Sequence, residues 1–260
     1  MSHVPEGNSG SEARLAPGVM RRIRIRLAYD GGTFHGWQVQ PNLPTIQGIL
    51  EEILSGMEGA PVPVAGSGRT DAGVHALAQV AAFSLTNPIP LLNLCRAINR
   101  LLPHSVRVLD AEAVHTDFHP RFDARAKTYE YRIVRTEICS PFEWPYVLHH
   151  PYPLDEDRMI RLAAAFEGEH DFTAYAAADD RDAEGRSKVR TVYSSALRQT
   201  PGRLTYRIRG SGFLKHMVRN VVGTLIEAGK GNIADCGRLP EKSGPTAAAK
   251  GLFLVSVEYD

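Results

Sequence analysis

The chain has 260 residues, 43% hydrophobic and 23% charged, with a formal net charge of +1. That balance suits a soluble globular chain able to bury a real core and excludes a disordered one. No run approaches the roughly 18 apolar residues of a bilayer span, so no membrane function is expected.

In chain order, residues 1–20 are rich in Gly, Ser, Pro and Glu and hold no apolar stretch of signal-peptide length. They are expected to form a disordered tail, and without an export signal the expected location is the cytoplasm. Residues 22–27 read Arg-Ile-Arg-Ile-Arg-Leu, the alternation of a strand with one buried and one basic face. Thr45 then precedes Ile46, Ile49, Leu50, Ile53, Leu54 and Met57, which predicts a helix with an apolar stripe and Thr45 as its N-cap. Residues 79–85 read as a strand, 90–102 as a helix and 106–114 as a strand. Beyond a boundary near 115–120, residues 127–134 alternate, with Tyr129, Tyr131 and Ile133 on one face. Residues 154–166 have helical spacing and an acidic start, which suits a helix N-terminus. Residues 203–209 alternate, 218–228 form a helix begun a few residues earlier, and 251–259 form a closing strand. Segments 173–189 and 229–246 read as loops.

Each half therefore runs strand, helix, strand, helix, strand. Alternating strands imply a sheet with one face wet or covered by a ligand, which favours α+β over a doubly wound parallel sheet. The expected architecture is two similar α/β halves, 21–115 and 116–260, whose mainly antiparallel sheets merge around a central cleft.

Three cysteines, Cys95, Cys139 and Cys236, lie far apart without a CxxC spacing, so neither a disulfide framework nor a zinc site is expected. Ten scattered histidines, with only His115/His119 and His149/His150 close together, do not supply a metal-ligand set. Charge is more informative in its distribution than in its sum. Residues 185–219 carry nine Lys/Arg and no acid, residues 155–184 carry ten acids against three bases, and Arg21, Arg22, Arg24 and Arg26 form a second basic cluster. Such segregation fits a positive face for a polyanion, or a solvated surface with counter-charges nearby in space.

Four segments could carry chemistry. In GSGRTDAGVH (66–75), Gly66, Gly68 and Gly73 surround Arg69, Thr70 and Asp71. This is a loop that bends sharply or approaches a ligand, or else a plain turn capped by Asp71. No GKS or GKT follows, so it is not a Walker loop. In YDGGTFHGWQVQP (29–41), Phe34 and Trp37 beside glutamines suit base stacking, or place Trp37 in the core. FHPRFDARAKTYEYRI (118–133) interleaves Arg121, Arg125, Lys127, Tyr129 and Tyr131, as a base-stacking surface or as a buried strand with a basic rim. In GFLKHMVRNVVG (212–223), Arg219 beside an apolar helix needs a carboxylate, for which Asp71 is a candidate, or else snorkels to the surface.

These strings, with TIQGILE (45–51) and GLFLVSVEY (251–259), stand in the order expected of one family. The chain resembles the tRNA pseudouridine synthase A family over about residues 21–260, most specifically in RTDAGVHA. The resemblance implies a homodimer of pseudouridine synthase fold that isomerises uridines 38–40 of the tRNA anticodon stem-loop, without metal or organic cofactor. It implies that Asp71 is the nucleophile, that Tyr129 stacks on the target base, and that Arg219 pairs with the catalytic carboxylate. It further implies that Arg69 helps extrude the base and that Leu252 or Leu254 lines the pocket. Arg24, Arg121, Arg125, Lys127, Arg207, Lys215 and His216 are the candidates for RNA contact. Segment 229–246 is shorter than the family pattern before GPTA, where a helix usually sits, so the RNA-facing surface there is expected to differ. Two other readings stand beside this one: a non-catalytic RNA-binding protein of the same fold, and a hydrolase pairing Asp71 with a histidine such as His75.

Overall fold

A computed structural model describes residues 18–178, 185, 187–234 and 238–259. Most of the expected tail (1–17), with Arg186 and Cys236, lies outside the described residues.

The first strand, β1 (Arg21–Tyr29), follows its alternation: Ile23, Ile25, Leu27 and Tyr29 are buried and the intervening arginines point the other way. α1 (Ile46–Glu58) starts where Thr45 Oγ1 accepts the Gly48 amide and stops at Gly59, which is left-handed. Its stripe Ile46, Leu50 and Leu54 is fully buried. After the short β2 (Ala65–Gly66), β3 (His75–Leu85) begins four residues before the expected position. Those extra residues carry no apolar/polar alternation, since Leu77 is apolar yet exposed, and the pairings with β1 and β10 define them. α2 (Leu91–Leu101) packs on β4 (Val106–Val114).

The second half holds β5 (Ala126–Val134), β6 (Leu148–His149), α3 (Glu156–Ala164), β7 (Gly168–Asp171), β8 (Val189–Thr200), β9 (Arg203–Gly210), α4 (Met217–Gly229) and β10 (Leu252–Glu258). Asp155 caps α3 through the Arg158 amide at 2.9 Å. The twelve-residue β8 was not anticipated: Val192, Ser195 and Leu197 are its only buried side chains, so its hydrophobic signal is sparse, and its hairpin with β9 defines it. The described residues between α4 and the 249–251 turn form no helix, in line with the short segment expected there.

All ten strands form one sheet, with path β4-β1-β3-β10-β5-β9-β8-β7, β2 beside β3 and β6 beside β5. β1 lies between β4 and β3, and β5 likewise lies between β10 and β9. Neighbours are antiparallel except β5/β6 and the junction β3/β10, where Phe253 pairs with His75 and Leu254 with Ala76. Register carries one face across that junction: Tyr29, Ala76, Leu254, Tyr129, Ile208 and Ser195 are successive cross-strand neighbours, all buried. The inward residues of all four helices join this face in one core. The fold is thus α+β, as expected, with the two sheets fused into one.

The segment before β10 is zipped along α4. Gly244 N donates to Thr224 Oγ1 (2.8 Å), Thr246 Oγ1 to Asn220 Oδ1 (2.6 Å) and Ala247 N to the Arg219 carbonyl (3.1 Å). This approach requires Gly223: a Cβ there would lie 1.7 Å from the Pro245 carbonyl oxygen, which is backbone and cannot swing aside. Gly223→Ala is expected to cost at least about 3 kcal/mol, the upper end of overpacking penalties. The check is chemical denaturation with tRNA absent; an unchanged midpoint would show that the segment can move away.

Candidate active site

The Asp71 loop leaves β2 and returns as β3. It is tied to the preceding motif, the 30–40 loop, through backbone: Trp37 N donates to the Thr70 carbonyl (3.0 Å) and Gly73 N to the Phe34 carbonyl (3.3 Å). Phe34 and Trp37 are buried at 7% and 3% exposure, so their role is core packing under the loop and not base stacking.

A buried polar chain holds the loop from the sheet side. Tyr29 OH bonds Thr70 Oγ1 (2.8 Å), Gln79 Nε2 donates to the Gly68 carbonyl (3.0 Å), and Ser67 Oγ donates to Gln79 Oε1 (2.6 Å). Lys127 Nζ donates to the Ser67 carbonyl at 2.6 Å. Burial, reinforced by the positive charge of Arg121, pushes this ammonium down to about 8. Lys127 lines the site, yet it is 9% exposed and already engaged, so its place is under the loop rather than on a phosphate. It joins the strand of Tyr129 to the loop of Asp71. Lys127→Met is therefore expected to lower kcat roughly tenfold or more through loop misplacement while leaving tRNA affinity nearly unchanged. A rise in Kd with kcat intact would return Lys127 to the RNA-contact set.

The Asp71 carboxylate is half-buried. Arg219 Nη1 lies 3.2 Å from Oδ2, and Arg219 Nε is held by the Ala247 carbonyl at 2.7 Å, which aims the guanidinium. His216 Nε2 lies 3.5 Å from the same oxygen. His216 is the N-cap of α4 at φ +62°, a left-handed conformation that non-glycine residues adopt mostly where surroundings impose it. Burial lowers the His216 pKa, Asp71 opposes this, and Arg219 and Lys215 add to the lowering. At neutral pH Asp71 thus faces one fixed cation and one neutral imidazole.

These groups open into a cleft of about 710 Å³. Among the sequence candidates Asp71, Arg69, Tyr129, Arg219, Leu252, Arg121, Lys127, Lys215 and His216 line it. Tyr129 is 7% exposed and meets Phe213 edge-on at 5.1 Å; burial, with the nearby Tyr29 and Asp71, raises its phenol above the usual range. Leu252 rather than Leu254 reaches the cleft, since Leu254 is fully buried opposite Tyr129. Arg69 is exposed, its Nε on Gln38 Oε1 at 3.0 Å.

Three RNA-contact candidates fall outside. Arg24 points away from the Ile23/Ile25 face, pairs with Glu112, and lies over the Phe118 and Tyr259 rings. Arg207 is on the β9 face opposite Tyr206 and Ile208, in register with Glu130. Arg125 is exposed beside β10, its amide on the Glu258 carbonyl at 2.9 Å, and is not a cleft residue. For Arg24 and Arg207 strand parity turns the side chain to the reverse face, whereas Arg125 precedes β5. His75 is also unavailable to Asp71 as a hydrolytic partner: it is 1% exposed, its Nδ1 accepts the Gly31 amide, and its ring stacks on Phe253. Sequence reasoning did not single out His35, Arg190 or Phe213, which also line the cleft. Arg190 lay within the basic stretch, but nothing local distinguished it from the arginines beside it.

Among the described residues no group of three His, Cys, Asp or Glu could hold a metal ion, and no helix is long and apolar enough to cross a membrane.

Known proteins match this sequence along most of the chain. A tRNA pseudouridine synthase family profile matches residues 27–123 and 162–260. The tRNA pseudouridine synthase A of Solibacter usitatus is 77% identical over 240 residues, covering 92% of this chain and all of its own. The proteins of the same name from Lacticaseibacillus casei and Citrifermentans bemidjiense are 41% and 43% identical, each over 92% of this chain and 100% and 98% of their own. With the Asp71 loop, the Tyr129 strand and the Arg219 helix converging on one cleft, the chain belongs to the tRNA pseudouridine synthase family.

Proposed function

We propose that this protein isomerises uridine to pseudouridine in tRNA, with Asp71 as nucleophile on a flipped-out uridine of the anticodon stem-loop. The observation that carries the reading is the Asp71–Arg219 pair at 3.2 Å in the same cleft as Tyr129. The reaction breaks the C1′–N1 bond, turns the uracil and rejoins it through C5, releasing the C5 proton. No redox change occurs, so no redox cofactor is needed. Asp71 attacks the nucleotide, which splits one difficult exchange into two steps. Arg219 orients the carboxylate, and the Tyr129 ring and Leu252 hold the detached uracil. Burial keeps the Tyr129 phenol protonated, so it meets the substrate as a ring face and a hydrogen-bond donor.

Extruding a base costs a few kcal/mol. Arg69 occupies the vacated stack, and Arg121 and Lys215 contact phosphate; what supports these roles is that all three line the cleft, with Arg69 bonded to Gln38. We take 21–115 and 116–260 as two halves that share the site: Asp71 comes from the first, Tyr129 and Arg219 from the second, and all three line one cleft. The family resemblance also supports a homodimer in the cytoplasm; a monomer mass in light scattering would overturn the dimer. The test of the function is tritium release from tRNA labelled at uracil C5. Release in step with pseudouridine formation is expected, and its absence would remove the reading.

A further inference from the structure

Phe122 is a large apolar side chain left 73% exposed, and it lines the same cleft as Asp71. Its exposure is built rather than incidental. The 119–123 turn is closed by four hydrogen bonds: His119 N to Asp123 Oδ2 (2.9 Å), Asp123 N to the His119 carbonyl (3.1 Å), and the amides of Arg121 and Phe122 to His119 Nδ1 (3.1 and 3.3 Å). An Nδ1 that accepts two amides must carry a lone pair; burial and the charge of Arg22 lower the His119 pKa, which keeps it neutral. The turn is anchored below by Tyr259, whose hydroxyl donates to the Pro120 carbonyl (2.7 Å) and whose ring meets Phe118 at 5.2 Å. The His119 ring lies beside Phe122 with centroids 4.2 Å apart, which fixes one side of it.

A rigid aromatic face held in water at the rim of a functional cleft gains its stabilisation only when something planar and apolar covers it. Arg121, Arg190 and Lys215 line the cleft around it, so the polymer that reaches the ring is anionic. The geometry points to Phe122 as a stacking platform for a nucleobase next to the target uridine. The inference rests on the cleft being where uridine is isomerised. It adds a second nucleotide subsite, which makes the enzyme read the neighbourhood of the flipped base as well as the base itself. Stacking is tolerant of base identity, so the subsite would select for an unpaired or unstacked neighbour rather than for sequence.

The experiment is a cycle of enzyme and substrate changes. Wild type and Phe122→Ala are assayed by tritium release on an anticodon stem-loop RNA and on the same RNA made abasic at one flanking position at a time. Phe122→Ala is expected to lower kcat/KM roughly 10- to 100-fold on the intact RNA, mainly through KM, and Phe122→Trp to recover most of that loss. On the RNA abasic at the stacked position, wild type and Phe122→Ala should be equal, because the partner is already gone. Equal activity on the intact RNA, or the same loss on every abasic RNA, would overturn the platform. A change in oligomer mass in Phe122→Ala would overturn it too, by assigning the ring to a protein interface. Failure of wild type to isomerise any uridine would instead sink the functional reading beneath it.

Discussion

Asp71→Ala and Asp71→Asn are each expected to reduce tritium release from C5-labelled tRNA by at least about three orders of magnitude, with tRNA affinity and thermal stability close to wild type. The two variants separate chemistry from structure. Arg219 keeps its anchor to the Ala247 carbonyl when the carboxylate is gone, and the loop keeps its backbone bonds to Phe34 and Trp37. Asparagine preserves the volume and an acceptor for Arg219 Nη1 but lacks the charged nucleophilic oxygen. A residual rate in Asp71→Asn near that of wild type would show that the carboxylate is not the nucleophile. Full tRNA binding without release in wild type would favour the non-catalytic binder, in which a carboxylate facing a phosphate-rich ligand has no evident use.

Gly36→Ala is the second substitution with a large expected effect, although Gly36 is not a group that reacts. It sits at φ +86°, in the left-handed region, and a Cβ there would lie 2.5 Å from the Thr70 carbonyl oxygen and 3.1 Å from the Asp71 carbonyl carbon. The obstacle is backbone, so either the 30–40 loop or the Asp71 peptide must move. The conformational penalty alone is about 1–2 kcal/mol. The larger consequence is positional: a shift near 1 Å at a reacting group costs about a hundredfold in rate. The expected outcome is a kcat lowered roughly a hundredfold or more, with KM little altered and a melting temperature reduced by a few degrees. Measured kcat equal to wild type would show that the two loops are not mechanically coupled.

The elements most legible in the sequence were those whose periodicity is local. The β1 alternation, the α1 stripe with its Thr45 cap, and the β5 alternation each state their own face, because the side-chain period of a strand or helix needs no knowledge of partners. The site was legible mainly through the family resemblance: read alone, Asp71 among three glycines is equally a plain turn, and Arg219 beside an apolar helix could snorkel to the surface. β8 was not legible, since most of its side chains are exposed and its hairpin with β9 supplies what its hydrophobic pattern does not.

The sequence by itself determined most of the element types, though not β8, together with the α+β class, the family, and Asp71, Tyr129 and Arg219 as the residues to watch. Only the tertiary structure decided which basic residues face the cleft. Arg24, Arg207 and Lys215 look equivalent in a count of charge, yet strand parity sends the first two to the reverse face and a loop brings the third to Asp71's side. Lys127 changed from a phosphate contact to a buried brace because its strand runs beneath the Asp71 loop. The parallel pairing of β3 with β10 also had no local signal, because it joins residues distant in the chain, His75 with Phe253. That pairing helps bring Asp71 into one cleft with Tyr129 and Arg219. The physical reason is general: periodicity reports which face of an element is apolar, whereas what lies against that face depends on register between strands distant in sequence.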